Sequence, residues 1–106
     1  MSEKYIYILS ERNYDGEVQR MFAIEGLERA KEFTRRTLFL DSTYVVRTCN
    51  FPDEYREEEI RRAHEKFDNM KITLSKNTWS WTYSSALSLI WELKRLEVVT
   101  ELKGGN

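Results

Sequence analysis

The parity of apolar residues between Lys71 and Trp81 is the tightest constraint on how this chain folds. Ile72 and Leu74 stand on even positions, whereas Trp79 and Trp81 stand on odd ones. Side chains alternate faces along a strand, so one continuous strand cannot bury both pairs on the same side. A tight turn at Lys76-Asn77 removes the conflict. It pairs Ser75 with Thr78, Leu74 with Trp79 and Ile72 with Trp81, and Asn tolerates the left-handed backbone such turns use. Beyond this hairpin Thr82 or Ser84 offers a helix cap. Ala86, Leu87, Leu89, Ile90, Trp91, Leu93 and Leu96 then predict a helix over Ser84 to Leu96 with apolar residues on more than one stripe. Glu97 to Leu102 returns to a strand pattern. Residues 1–103 are expected to form a single domain, with 104–106 as a flexible C-terminal tail.

The first half follows similar logic. Tyr5-Ile6-Tyr7-Ile8-Leu9 is apolar on both faces, which suits a central strand. Asp15-Gly16 is a hairpin signal. With that pair at the tip, Leu9 faces Phe22 and Tyr7 faces Ile24, with Val18 on the same side. Glu17 and Gln19 make the other side polar, so the second strand is expected near an edge. Gly26 is placed as the cap of a helix carrying Leu27, Ala30, Phe33, Thr34, Thr37 and Leu38 at helical spacing. Arg29, Lys31, Arg35 and Arg36 are interleaved with Glu25, Glu28 and Glu32, the pattern of a solvated, ion-paired face.

Asp41-Ser42 interrupts the helical pattern, and Tyr44 to Cys49, rich in β-branched residues, predicts a third strand. Asn50-Phe51-Pro52-Asp53 opens a second helix, with Pro in the first turn and acidic residues where the helix dipole favours them. Ile60, Ala63, Phe67 and Met70 or Ile72 give it one apolar stripe. Glu57 with Arg61 and Glu58 with Arg62 are favourably oriented pairs worth about 0.3 kcal/mol each. The element order is then ββαβ-α-ββαβ. This implies an α+β fold, an antiparallel or mixed sheet with about three helices packed on it.

Chemistry is harder to find. The chain has 106 residues, 41% hydrophobic and 13% aromatic, the composition of a folded domain. With 17 basic and 18 acidic residues the formal net charge is −1, which gives no footprint for nucleic acid. His64 and Asp68 lie one helical turn apart, but a zinc site on a helix needs a second imidazole and a third ligand. Ser84, Ser85 and Ser88 lack a glycine-flanked elbow. The glycines, Gly16, Gly26, Gly104 and Gly105, do not build a phosphate loop. Cys49 reads as a small buried apolar residue. No catalytic residue, metal or cofactor is expected, and the chain is read as a non-enzyme. The apolar run from Tyr5 to Leu9 is too short for a signal peptide or membrane span, so a cytoplasmic protein, of the cell that makes it or of a host cell, is expected without a membrane partner.

Two resemblances bear on function. The segment KYIYILSERNYDGEVQRMFAIEGLERAKEF followed by YVVRT resembles a pattern in small uncharacterised phage and bacterial proteins. In these a hairpin leads into a capped helix, the positions here held by Ile24, Leu27, Ala30 and Phe33. That resemblance implies a small accessory protein of a phage or mobile element, with a ββαβ first half, acting by binding. It assigns no functional residue. The segment SSALSLIWELKRLEVVTELKGG is similar to the recognition helix and first wing strand of winged-helix proteins. Only Lys94 and Arg95 would serve DNA there, so DNA binding is a minor alternative.

Interface-type residues (Trp, Tyr, Met, Arg) favour a protein-binding module, an inhibitor or adaptor occupying a surface of a host protein. The alternative is a small-ligand binder that stacks a nucleotide base on an aromatic ring and holds its phosphates with arginines. On the predicted last helix Leu87 and Trp91, with Tyr83, lie to one side of the core stripe. These three are the candidate partner-binding residues, for a target protein or a second copy of the chain.

Overall fold

The hairpin at Asp15-Gly16 forms in the register its side chains dictate. In the computed structural model, which describes residues 5–85 and 89–98, β1 (Tyr5–Arg12) and β2 (Val18–Glu25) pair antiparallel, with Leu9 opposite Phe22 and Tyr7 opposite Ile24. Asn13 organises the turn. Its Oδ1 accepts from the backbone N–H groups of Asp15 and Glu17, at 3.0 and 2.9 Å, and Gly16 takes a positive φ of 82°. Such a backbone favours Gly because no Cβ clashes there. Val18 is the exception to the expected pattern. A bulge between Glu11 and Arg12 sets it opposite Arg12, so it leaves the row of Phe22 and Ile24 and is exposed.

The fold is α+β. A four-stranded antiparallel sheet in the order β2-β1-β4-β3 accompanies three helices, α1 (Leu27–Ser42), α2 (Tyr44–Thr48) and α3 (Asp53–Phe67). β3 is Ser80–Ser84 and β4 is Ile90–Glu97. The opening ββα and the central helix follow the expected order, with strands toward both ends of the chain; the expected strand of Lys71 to Ser75 is absent, and two elements change type. Tyr44 to Thr48 is helical, not a strand, and Ile90 to Glu97 is a strand, not the end of a helix.

Two compact units divide the chain, Met1–Ala30 with Thr73–Asn106, and Lys31–Ile72. The first holds the sheet and the opening turn of α1. Gly26, with φ of 86°, lets the chain leave β2 and enter that helix, and its carbonyl accepts from Ala30 N–H at 3.0 Å.

In the sheet unit β1 and β4 are central and β2 and β3 are edges. The turn before β3 differs from the expected one. Ser75 N–H donates to Ser80 O at 2.9 Å, so residues 76–79 form the loop, and Trp79 takes a positive φ of 51°. Ser75 therefore meets Ser80, not Thr78, and the expected pairing of Leu74 with Trp79 and of Ile72 with Trp81 is lost. The left-handed backbone of Trp79 breaks the extended run the expected hairpin needs, and β3 takes its partner on the other edge. β4 offers it a five-residue ladder, Ser80 with Lys94 through Ser84 with Ile90, and Trp81 pairs with Leu93.

The expected helix over Ser84 to Leu96 fails for a related reason. Trp91 and Leu93 alternate as well as they fit a helical stripe, and with Leu9 and Glu11 beside them the strand reading wins. Ser85 N–H donates to Leu89 O at 2.9 Å before β4 begins. Leu87 lies outside the described residues, as do the expected strand beyond Val98 and the C-terminal tail.

The helical unit shows why the third strand is absent. The β-branched residues Val45, Val46 and Thr48 favour a strand only weakly, and local hydrogen bonds decide against it. Thr43 Oγ1 donates to Phe39 O at 2.8 Å, Arg47 donates to Thr43 Oγ1 at 3.0 Å and to Leu40 O at 2.8 Å, and Thr48 Oγ1 donates to Tyr44 O at 2.7 Å. The bonds to Phe39 O and Leu40 O fall on the last turn of α1, where carbonyls run short of helical partners, and Phe39 O also accepts from Thr43 N–H at 3.1 Å. Arg56 of α3 donates in turn to Val46 O at 2.8 Å and to Cys49 O at 3.2 Å, capping α2.

α3 begins at Asp53 with Pro52 as its N-cap, so Pro52 sits one step outside the first turn. Its stripe is as expected. Ala63 and Phe67 are buried, followed by Ile72, and Arg35 of α1 donates to Met70 O at 2.7 Å.

On the solvent side of α3, Arg61 bonds both Glu58 and Glu65, and Arg62 bonds Glu58 at 3.1 Å. Glu57 was the expected partner of Arg61; Glu58 takes that role. The hydrogen bond from Arg61, with its charge and that of Arg62, lowers the Glu58 pKa to about 2. A depressed carboxylate stabilises the fold above its unfolded pKa near 4.3 and ceases to do so as pH falls through the folded value. A titration followed by NMR should therefore find Glu58 ionised down to about pH 2. Stability lost between about pH 4.5 and 2 should shrink in Glu58→Gln. A Glu58 midpoint near 4.3 would contradict the network.

Candidate protein-docking surface

The two faces of the sheet differ, and the register assigns every strand residue to one of them. Odd positions of β1, β3 and β4 share a face with Arg20, Phe22 and Ile24 of β2, whereas Val18, past the bulge, falls on the other. This face is the buried one. Tyr7, Leu9, Leu93 and Trp91 lie within it, and Phe22, Ile24, Trp81 and Tyr83 are half-buried along its margins.

The charged groups Glu11 and Arg20 on the buried face are occupied with each other. Glu11, only 4% exposed, receives a bidentate pair from Arg20 on the neighbouring strand, Nε to Oε1 at 2.9 Å and Nη2 to Oε2 at 3.0 Å. The Arg20 guanidinium lies 5.1 Å from the centre of the Trp91 ring. The Trp91 indole N–H, buried beside them, has no hydrogen-bond partner. At the other end of β4, Arg95 lies between two rings, 3.9 Å from that of Tyr5 and 3.7 Å from that of Trp79. Trp81 stacks on Tyr83 with centroids 6.1 Å apart.

These placements answer the sequence-level candidates. Trp91 is 0% exposed, opposite Tyr83 on β3 and Glu11 on β1, so its side chain offers a partner nothing to touch. Tyr83 is half-buried beside it. The structure brings these two together on the inner face and not on an outward helix side; Leu87 is outside the described residues.

The opposite face is the more exposed one, with Ser10 buried within it at 3% exposure. Across β2, β1, β4 and β3 it reads Glu25, Ile6, Leu96; then Ala23, Ile8, Lys94, Ser80; then Met21, Ser10, Glu92, Thr82; and finally Val18, Arg12, Ile90, Ser84. Met21 is 58% exposed, Leu96 45%, Val18 42% and Ile90 39%. Ile6 and Ile8, half-buried, stand on β1 next to Leu96 and Ala23. The sequence signal for this face was present in the run Tyr5 to Leu9, apolar at every position, which implies cover on both sides of β1. What could not be read was that Leu96 and Ile90 belong beside it, since those residues were assigned to a helix.

The other chemical candidates are engaged elsewhere. His64 Nδ1 lies 2.9 Å from Asp68 Oδ2, and its ring packs 4.2 Å from that of Phe39. Among the described residues no group of three or more His, Cys, Asp and Glu could hold a metal ion. Cys49 is exposed, not buried as the sequence suggested, because it caps α2 and not a central strand.

His64→Ala should change stability within the ~0.5 kcal/mol usual for surface positions. Trp81→Ala, at a half-buried margin, should cost about 1–2 kcal/mol, less than a fully buried tryptophan would. Denaturant midpoints check both, and the reverse ranking would misplace the core.

No helix of the described residues is long and apolar enough to cross a membrane. Comparison with protein-family models, with curated proteins and with solved structures finds no match, so the candidate site rests on geometry alone.

Proposed function

We propose that this chain is a protein-binding module without catalysis of its own, an inhibitor or adaptor whose working surface is the open face of the sheet. The observation that carries the reading is the set of exposed apolar side chains on this face, Leu96 beside the half-buried Ile6, Met21 one row from Ile8, and Val18 and Ile90 in the last row. Contiguous apolar patches rimmed by polar residues mark protein-docking sites. Here Glu25, Arg12 and the hydroxyl row Ser80, Thr82 and Ser84 stand at the rim, and Lys94 and Glu92 stand within the face on central β4. Methionine adapts its shape to a partner at little cost, which suits its place on this face.

The nucleotide-binding alternative has less support. Arg95 and the rings of Tyr5 and Trp79 already face one another, and Arg20 serves Glu11. The winged-helix alternative loses its recognition helix, because Ile90 to Glu97 is a strand between two others. Affinity capture with the folded protein and with Met21→Lys tests the reading. Co-purifying protein should be recovered by the parent chain and lost in the variant, whose melting temperature should be nearly unchanged. Capture that is indifferent to Met21 would remove this face as the working surface. A gain in thermal stability with small nucleotides would favour the ligand-binding alternative.

A further inference from the structure

We infer that the open face pairs with the same face of a second copy of this chain, across a two-fold axis perpendicular to the strands. The inference rests on reading the face as a protein-docking surface and names its occupant.

Charge is the first argument. The open face carries Arg12, Lys94, Glu25 and Glu92, as many positive as negative groups, so it repels neither itself nor its image. A partner of strong single-sign charge has nothing to select there. Position is the second argument. Lys94 and Glu92 stand in adjacent rows of the same strand, on either side of the middle of the face. Rotation about an axis lying between those two rows exchanges them. Lys94 of each copy then meets Glu92 of the other, giving two equivalent ion pairs. The same rotation lays Leu96 over Ile90 and Ala23 over Met21, apolar on apolar, and brings Ile8 over the small, buried Ser10; it also lays Glu25 over Val18 and Arg12 over Ile6, which sets Glu25 of each copy next to Arg12 of the other. Self-complementarity of this kind is what a two-fold interface requires.

Size is the third argument. Three strands of eight residues and one of five, about 4.8 Å apart and at about 3.3 Å per residue, cover roughly 460 Å². Two such faces remove roughly 900 Å² from water, at the small end where interfaces are weak and transient. Stacked sheets with interdigitating inner side chains meet this geometry in ordinary sandwiches. The expected product is a weak dimer, half-formed somewhere between about 1 and 100 µM.

Sedimentation equilibrium across that concentration range tests the pairing by charge reversal. Lys94→Glu alone and Glu92→Lys alone each set like charges against each other, and each should weaken dimerisation at least tenfold. The double variant Glu92→Lys with Lys94→Glu restores opposite charges and should recover it. Mixing the two single variants places two Glu side chains against two Lys side chains, so a heterodimer should form where neither homodimer does. A monomer throughout the range overturns the inference. So does a dimer whose affinity ignores these substitutions.

Capture of other proteins separates the two levels of the argument. A monomeric chain whose capture is still lost in Met21→Lys would reject the second copy and keep the docking face. A monomeric chain whose capture ignores Met21 would reject both.

Discussion

Trp91→Ala should cost about 3–5 kcal/mol of folding stability, the range for deleting a buried aromatic side chain. Trp91 is the largest of the fully buried side chains, on a central strand with Glu11 to one side and Tyr83 to the other. Removing its ring opens a cavity that two hydrogen-bonded strands cannot close by moving together, so little of the loss is recovered by relaxation. At about 4–8 °C per kcal/mol for a chain of this size, the melting temperature should fall by roughly 15–30 °C. Trp91→Phe makes the informative control. It keeps a ring in the same place and removes an indole N–H that has no hydrogen-bond partner. A buried donor without a partner is itself unfavourable, which offsets part of the lost volume. Phe should therefore cost only about 1–2 kcal/mol. Denaturant unfolding of both variants decides the matter, and a loss below about 1 kcal/mol for Ala would mean that Trp91 is not in the core.

How far the sequence disclosed this architecture depended on how many readings each segment allowed. Between Tyr5 and Ile24 it allowed one. Asp15-Gly16 fixes the turn, the turn fixes the register, and the register puts Leu9 beside Phe22. Gly26 and the helical spacing of Leu27, Ala30 and Leu38 were equally unambiguous, and so was the stripe of Ala63 and Phe67.

Elsewhere a second period fitted as well. Leu89, Ile90, Trp91, Leu93 and Leu96 satisfy a helical stripe, while Trp91, Leu93 and Arg95 alternate as a strand. Only the long-range ladder to β1, at residues more than seventy positions earlier, tells the two apart. Tyr44 to Thr48 failed in the opposite sense. There β-branched composition suggested a strand, and the short-range bonds of Thr43, Arg47 and Arg56 kept the backbone helical.

The candidate surface inherited the same ambiguity. Ile6 and Ile8 could be read as lying on the second face of a central strand. Leu96 and Ile90 could not be placed beside them until β4 was recognised as a strand. Trp91 looked available to a partner only while its segment was taken for a helix.

The ion pair inside the sheet offers the sharpest test of how polar groups are held on the buried face. Glu11 is buried and Arg20 about half exposed, and their side chains meet in a fork of two charge-assisted bonds. The asymmetry in exposure predicts an asymmetry in cost. Arg20→Ala leaves a carboxylate on the buried face without its fork, a change that in buried pairs costs 3–5 kcal/mol. Because the Arg20 site opens to solvent, water can reach part of the vacated space, and a loss of about 2–3 kcal/mol is the better expectation. Glu11→Leu frees an arginine that can turn outward to water, so it should cost only about 1 kcal/mol. The double variant Glu11→Leu with Arg20→Ala removes both charges and should be more stable than Arg20→Ala alone. Its loss should fall short of the summed single losses by about 1.5 kcal/mol or more. Urea unfolding of the four proteins gives this coupling directly. Additive losses, or a Glu11→Leu cost that exceeds that of Arg20→Ala, would show that the fork is an exposed surface pair and not a fixture of the inner face.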